Sequence, residues 1–306
     1  MHLLVVGAGT MGRWFARSVA PVVDRVTFAD EEAAAARAAA AGLEARLADR
    51  EDSPAVAVDD GGPADVVCVA VPISAVAAVV AEHGPRAERA VVDVSGEMET
   101  AVGALRDAAP DCERASFHPL FAPDNEPGNC AVVVDRGGPA VRAVRDALSE
   151  RGNHVFDTTP AEHDRAMTTV QARAHAAVLA FGLAAESVPE EFHTPVSAPL
   201  GGLVANLTGG NPAVYAEIQA AFEGADEVAA SAIRRAAAPH MAAGPEASAG
   251  GGRGCRAGHR RIADAPGDHD AFGACYADAG AGGFGADREP GDAADPGDTG
   301  SGGPGA

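Results

Sequence analysis

The chain has 306 residues and is 47% hydrophobic, so a sizeable core can form, but with only 4% aromatics Ala, Val and Leu must fill it. Forty-four acidic residues face 23 basic ones, all of them Arg, for a formal net charge of -21. That balance argues against nucleic acid and against an anionic membrane as partners, since both call for a basic face. No run of about eighteen apolar residues marks a membrane span, and the start MHLLVVGAG has no basic leader. Five scattered cysteines without a CxxC pair suggest neither a disulfide framework nor a zinc site. A cytoplasmic protein without a metal is expected.

In chain order, short apolar runs alternate with Ala-rich stretches. His2–Val6, Arg25–Ala29, Asp65–Val71, Ala90–Val94, Cys130–Val134 and His154–Phe156 read as strands. Met11–Ala20, Glu31–Ala41, Ser74–Glu82, Met98–Ala108 and Pro139–Arg151 read as helices between them. Uninterrupted apolar strands separated by helices predict a parallel sheet covered on both faces. From Thr159 or Pro160 a long helix is expected to run to Ser187, with its start fixed by His163 and Asp164; two more helices follow Pro195 and Pro212. The predicted organisation is an α/β domain over residues 1–157, an all-helical domain over 158–238, and a glycine-rich tail over 239–306. The tail is expected to be largely disordered, with one possible helix at 262–280.

Gly7-Ala8-Gly9-Thr10-Met11-Gly12 fits G-x-G-x-x-G, with a strand before it, a helix after it, and Asp30 at the end of the next strand. That context predicts a Rossmann-type doubly wound sheet that binds a dinucleotide. Gly7 permits the turn, Gly9 lets the backbone approach the pyrophosphate, and Gly12 lets the helix pack. The N–H groups of Thr10 and Met11 belong to the helix end that faces the phosphates. Asp30 accepts hydrogen bonds from the ribose or caps the next helix, and one residue can do both. With Glu31 and Glu32 beside it, a 2′-phosphate is repelled and NAD is favoured over NADP. Val71 and Pro72 close a strand whose loop should face the nicotinamide side.

Ligands of open α/β sheets lie at the carboxyl ends of the strands. Ser95, in DVSG, and His118, in SFHPLFAP, both follow such ends and converge there. A histidine at that place can take a proton from a hydroxyl as hydride leaves its carbon. An ordinary loop histidine and a helix-capping serine are the plain alternatives.

The segments GAGTMGRWFA, DVSGEM, SFHPLFAPD and HDRAMTTVQARAHAAVLAFGLA follow one another as they do in prephenate dehydrogenases, over residues 1 to about 235. HPLFAPD resembles the family's HPMFGPD element, and HDRAMTTVQARAH resembles its HDxxMTxxQxxxH helix. The resemblance implies oxidative decarboxylation of prephenate or arogenate with NAD, by a monofunctional enzyme. In it His118 accepts the 4-hydroxyl proton, Ser95 bonds the same hydroxyl or orients His118, and Gln171 and His175 line the pocket. Family members hold a substrate carboxylate with an Arg in the later helical region, whereas here none lies between Arg173 and Arg234. Arg173, or an Arg of a second subunit in a homodimer formed through the helices, is expected to take that part. The acid-rich, Lys-free composition resembles that of haloarchaeal proteins. A β-hydroxyacid dehydrogenase, which relies on a catalytic Lys, is disfavoured because the chain has none. A dinucleotide-sensing regulator without turnover is the non-enzyme alternative.

Overall fold

The computed structural model describes residues 1–49, 52–208 and 212–222. Eight strands form one sheet: β1 (His2–Val6), β2 (Arg25–Ala29), β3 (Ala55–Val58), β4 (Ala64–Val69), β5 (Ala87–Asp93), β6 (Glu113–Pro119), β7 (Asn129–Arg136) and β8 (His154–Asp157). Their order is β3-β2-β1-β4-β5-β6-β7-β8. The chain builds outward from β1 to β3, then returns to the far side of β1 with β4. That reversal opens a crevice at the carboxyl ends of β1 and β4.

The strands are apolar throughout because both faces are covered. In β1, Leu3 and Val5 pack on one side with Trp14, Phe15, Phe28 and Phe117. Leu4 and Val6 pack on the other with Val67, Val69, Val76, Val80 and Leu105. This is the two-residue alternation of a strand, with both phases buried. The helices that cover the sheet are α1 (Thr10–Val19), α2 (Ala33–Leu47), α3 (Val76–His83), α4 (Glu99–Ala108) and α5 (Pro139–Glu150).

The doubly wound Rossmann-type architecture expected from the sequence is the one observed, with two corrections. Strand β7 runs antiparallel to β6, so the sheet is parallel only on either side of that pair. Residues 120–128 join the two strands, which is too short for the helical crossover that a parallel pairing requires. Strand β3 was not expected at all: Ala55-Val56-Ala57-Val58 is a four-residue edge strand without a fully buried residue, and two alanines carry little strand signal.

From Pro160 onward every described element is helical. Helix α6 (Pro160–Met167), a π-helical segment (Thr168–Arg173) and α7 (Ala174–Ala184) form one uninterrupted rod, followed by α8 (Ser197–Thr208) and α9 (Pro212–Ala221). The rod stops at Ala184, three residues short of the expected Ser187, where Ala185 turns to extended backbone. Pro160 opens it, and the Thr159 side chain accepts from Glu162 N. Helix α6 packs on α4, and Met167 and Ala172 bury against Ile218 and Phe222. Among the described residues no helix is long and apolar enough to cross a membrane. The helix expected at 262–280 lies outside the described residues.

Candidate active site

The β1–α1 turn is shaped by its glycines. Gly7 has φ +98°, and a Cβ there would fall 2.2 Å from the Ala70 carbonyl oxygen and 3.0 Å from Val71 Cγ1. The loop after β4, which carries Val71 and Pro72, therefore presses directly on the turn. A Cβ on Gly12 would lie 1.9 Å from Gly7 O, so the first turn of α1 sits on the loop itself. Around Gly9 the situation is the reverse: a Cβ would meet nothing within 4 Å. Gly9 is exposed at the N-cap of α1, and the first helical bond runs from Arg13 N to Gly9 O (3.0 Å). The N–H groups of Thr10, Met11 and Gly12 lie ahead of that bond and have no partner within the helix, as at any helix start. Asp30 braces the cradle, with Oδ2 accepting from Ala8 N (2.7 Å) and Oδ1 from Glu32 N (2.9 Å). It thus ties the glycine turn to the entry of α2.

Across the crevice a buried cluster joins the sheet to the helices. His118, near the end of β6, is 7% exposed. Its Nδ1 lies 2.8 Å from His163 Nε2, and its Nε2 lies 3.5 Å from Gln171 Nε2. His163 Nδ1 is 2.7 Å from Asp164 Oδ1. Asp164 in turn accepts from Met98 N and Glu99 N, both at 3.0 Å, at the amino end of α4. Burial above all, and His163 beside it, push the His118 imidazole down to about 3 against the Asp164 charge, which raises it. Burial also pushes Asp164 up, but the bonds from His163, Met98 N and Glu99 N outweigh it and hold the carboxyl below its usual range.

Ser95 follows β5 and is also buried. Its N–H donates to Asp93 Oδ1 (2.9 Å), and its Oγ accepts from Glu97 N (3.3 Å). The next residue, Gly96, lies against the histidine: a Cβ on it would come 3.6 Å from His118 Nε2. The groups that bond the His118 ring are thus His163 and Gln171, while Ser95 shapes the turn beside it. Underneath, Asp93 is fully buried and accepts from Ser116 Oγ (3.0 Å) as well as Ser95 N; burial raises its carboxyl to about 7.

A 4-amino-4-deoxyprephenate dehydrogenase of Streptomyces pristinaespiralis is 32% identical to this chain over 235 residues, covering 73% of this chain and 78% of that protein. The chain belongs to the prephenate/arogenate dehydrogenase family. A probable arogenate/prephenate dehydrogenase of Methanocaldococcus jannaschii is 25% identical over 170 residues, which is 51% of this dehydrogenase and 38% of that protein. The fold resembles that of the Aquifex aeolicus prephenate dehydrogenase in complex with hydroxyphenyl propionate and NAD+. The TM-score is 0.54 at 17% identity, covering 79% of this chain and 89% of that one. No family model matches the chain.

The helices of the dehydrogenase carry further polar atoms without partners. Among the described residues Gln171 Oε1, His175 Nδ1 and Arg173 Nε, all buried, find no hydrogen-bond partner. His175 meets the edge of Tyr215 on α9 (ring centroids 5.3 Å, 83°), and burial lowers its pKa. Arg173 Nη1 donates to Thr169 Oγ1 (3.4 Å) on its own rod. Glu217 on α9 accepts from Ser74 N and Ser74 Oγ, both at 2.8 Å, joining α9 to the loop after Pro72. Among the described residues no cluster of ligating side chains could hold a metal. Tyr215, Glu217 and Asp93 escaped the sequence reading. The sequence pattern assigns His163 and Asp164 to fixing the start of their own helix. Thr159 caps that start, and the histidine and aspartate reach other elements. Their placement eight residues or fewer ahead of Gln171 was the signal available.

Proposed function

We propose that this protein is an NAD-dependent prephenate dehydrogenase that converts prephenate to 4-hydroxyphenylpyruvate. The observation that carries the reading is His118: a buried imidazole near the carboxyl end of β6, with Nδ1 engaged by His163 and Nε2 approached by the Gln171 amide. The cradle fits a dinucleotide, because the space over Gly9 is open where Gly7 and Gly12 are tightly packed. Gly7, Gly9, Thr10, Met11 and Gly12 would hold its phosphates, Asp30 its ribose, and Val71 and Pro72 would wall its far side. Glu31 and Glu32 disfavour a 2′-phosphate.

NAD, when bound, supplies the hydride acceptor. His118 Nε2 takes the proton of the C4 hydroxyl as hydride leaves C4. After carbon dioxide has left C1, His118 returns that proton to the phenolate oxygen, so it ends the cycle neutral. A base as weak as this one suffices, because loss of hydride turns the alcohol oxygen into a strong acid. Ser95 donates to the same hydroxyl. Gln171 and His175, whose unpaired polar atoms favour a ligand over empty space, hold the substrate, and Arg173 supplies a guanidinium for a carboxylate.

One observation favours a second substrate. Gln171 Oε1, beside the base, is an acceptor without a partner among the described residues. An amine at C4 has a hydrogen for His118 and another for Gln171, which suits 4-amino-4-deoxyprephenate, the compound named for the Streptomyces relative. Turnover with NAD of prephenate, arogenate and 4-amino-4-deoxyprephenate in parallel decides the matter. Prephenate is expected to give the highest kcat/KM; no turnover of any of the three overturns the proposal.

The enzyme is further proposed to be a cytoplasmic, haloarchaeal homodimer, divided at residues 157/158 into cofactor and helical domains. Exposed Leu183 (90%), Phe192 (75%) and Val196 (71%) supply apolar surface for pairing. A net charge of -21 favours folding at high salt through screening. Its melting temperature should rise from low salt to molar KCl, and a flat or falling curve ends the haloarchaeal reading.

A further inference from the structure

We propose that His163 and Asp164 are positioning residues that fix the proton of His118 on Nδ1, leave Nε2 bare to receive the substrate proton, and share the charge that results. The inference rests on the reading of His118 as the base, and follows from the order of donors and acceptors along one hydrogen-bonded chain. Asp164 receives two backbone N–H groups from the start of α4, at 3.0 Å each. A helix amino terminus favours a carboxylate over a neutral carboxyl, so Asp164 is an acceptor. The contact of 2.7 Å between His163 Nδ1 and Asp164 Oδ1 then has its hydrogen on His163. A neutral imidazole with hydrogen on Nδ1 has a lone pair on Nε2. The 2.8 Å contact between His163 Nε2 and His118 Nδ1 therefore has its hydrogen on His118. Only Nε2 of His118 remains to accept, and the Gln171 amide, at 3.5 Å, approaches that atom.

The same chain serves the charged state. When His118 Nε2 has taken the substrate proton, both ring nitrogens carry hydrogen. The Nδ1 hydrogen still points at His163 Nε2, and the positive charge is faced through His163 by the Asp164 carboxylate. No proton has to cross to solvent before it is returned to the product. The arrangement also makes the base conditional on docking. His118 belongs to the sheet and His163 to the helical rod, so an undocked rod leaves the imidazole free to take either tautomer. Among the described residues Glu97, on the α4 side, also brings its charge to Asp164. Burial raises the Glu97 carboxyl, and Asp164 opposite raises it too.

The test uses the full chain labelled with 15N-histidine, without cofactor or substrate, so it does not depend on which substrate is turned over. The His118 signals are assigned by their loss in His118→Asn. The wild type should show a protonated Nδ1 and a bare Nε2. In His163→Phe, which keeps ring bulk but removes both nitrogens, and in Asp164→Asn, His118 should average between tautomers. In turnover, kcat should fall about 10- to 100-fold, as for other partners that orient a catalytic imidazole. KM and NAD affinity should stay within about twofold, on the same order-of-magnitude footing. Asp164→Asn should also move the acid limb of kcat to lower pH, because the lost charge was raising the His118 pKa; a packing role alone would not move it. A wild-type His118 protonated on Nε2 overturns the proposal, as does an Asp164→Asn enzyme with unchanged kcat and acid limb. If neither variant folds, the wild-type spectrum decides alone.

Discussion

The glycine end of the crevice is made of backbone from six consecutive residues, Gly7 to Gly12, whereas the histidine end is made of side chains brought from β5, β6, α6 and the π segment. The first can be written as a motif because its chemistry is local: glycines where a Cβ would strike Ala70 or Gly7, and helix-end N–H groups that lack a partner within the helix. The second joins His118 to His163 across 45 residues and exists only where two separately folded elements meet. A cofactor cradle can therefore survive intact in a chain whose chemical end has been lost, and the two ends should be separable by mutation.

The largest expected separation comes from His118→Asn. Loss of a general base costs about 10²- to 10⁴-fold in rate, while NAD affinity, measured by fluorescence titration, should be unchanged because the cradle is untouched. In the wild type the acid limb of kcat/KM should lie well below that of an ordinary imidazole. The sign follows from the lowered pKa: His118 stays neutral, and active as a base, until the pH approaches about 3. The limb should vanish in the mutant. A limb near the usual histidine value would place the base elsewhere.

Damage to the other end should have the opposite signature. Asp30→Ser with Glu31→Arg removes the acceptor proposed for the ribose and the charge proposed to repel a 2′-phosphate. Hydrogen bonds to a charged group are worth about 1.5–3 kcal/mol, so the preference for NAD over NADP should shrink about tenfold or more, with kcat at saturating cofactor little changed. Asp30 also holds Ala8 N, so part of any affinity loss will appear with both cofactors. Equal wild-type kinetics with NAD and NADP would remove the ribose role.

The smallest effect is expected from Ser95→Ala. One hydrogen bond contributes about 0.5–1.5 kcal/mol, or roughly 2- to 10-fold in kcat, with the acid limb in place because no proton acceptor is lost. A loss as large as that of His118→Asn would mean that the turn held by Ser95, Asp93 and Glu97 collapses, which a melting curve would reveal.

The same contrast explains what could be read from the sequence. Strands β1 and β2 were legible to the residue, since buried parallel strands are unbroken apolar runs, and the glycine turn was legible through its spacing. Strand β3 was missed because a short alanine-containing edge has no such run. The reversal of β7 depends on the length of the β6–β7 connection, which a search for helical crossovers passes over. At the site, His118, Ser95 and Gln171 were picked out, but their relation was not. Which nitrogen of His118 is engaged depends on His163, and His163 looks like any polar residue at a helix start until the rod is docked on α4.

The π segment beneath Gln171 has a consequence for insertions and deletions. In a straight α-helix eight residues turn through about 80° beyond whole turns, which would carry Gln171 off the face that His163 presents to His118. The wider π turns, roughly 4.4 residues each, reduce that offset to about 25°. The rod thus behaves as an α-helix that has taken in one surplus residue without disturbing the phase of its neighbours. Val170, 57% exposed in the middle of the segment, is the position that can be given up. Deleting it should let the rod close into ordinary α-helix with Gln171 still within about 20° of the His163 face, about 45° round from its present place. Deleting a residue of α6 instead, from 164 onward, should throw everything downstream round by about 100°. Homologous chains that differ by one residue in this stretch can therefore present the same face to the substrate.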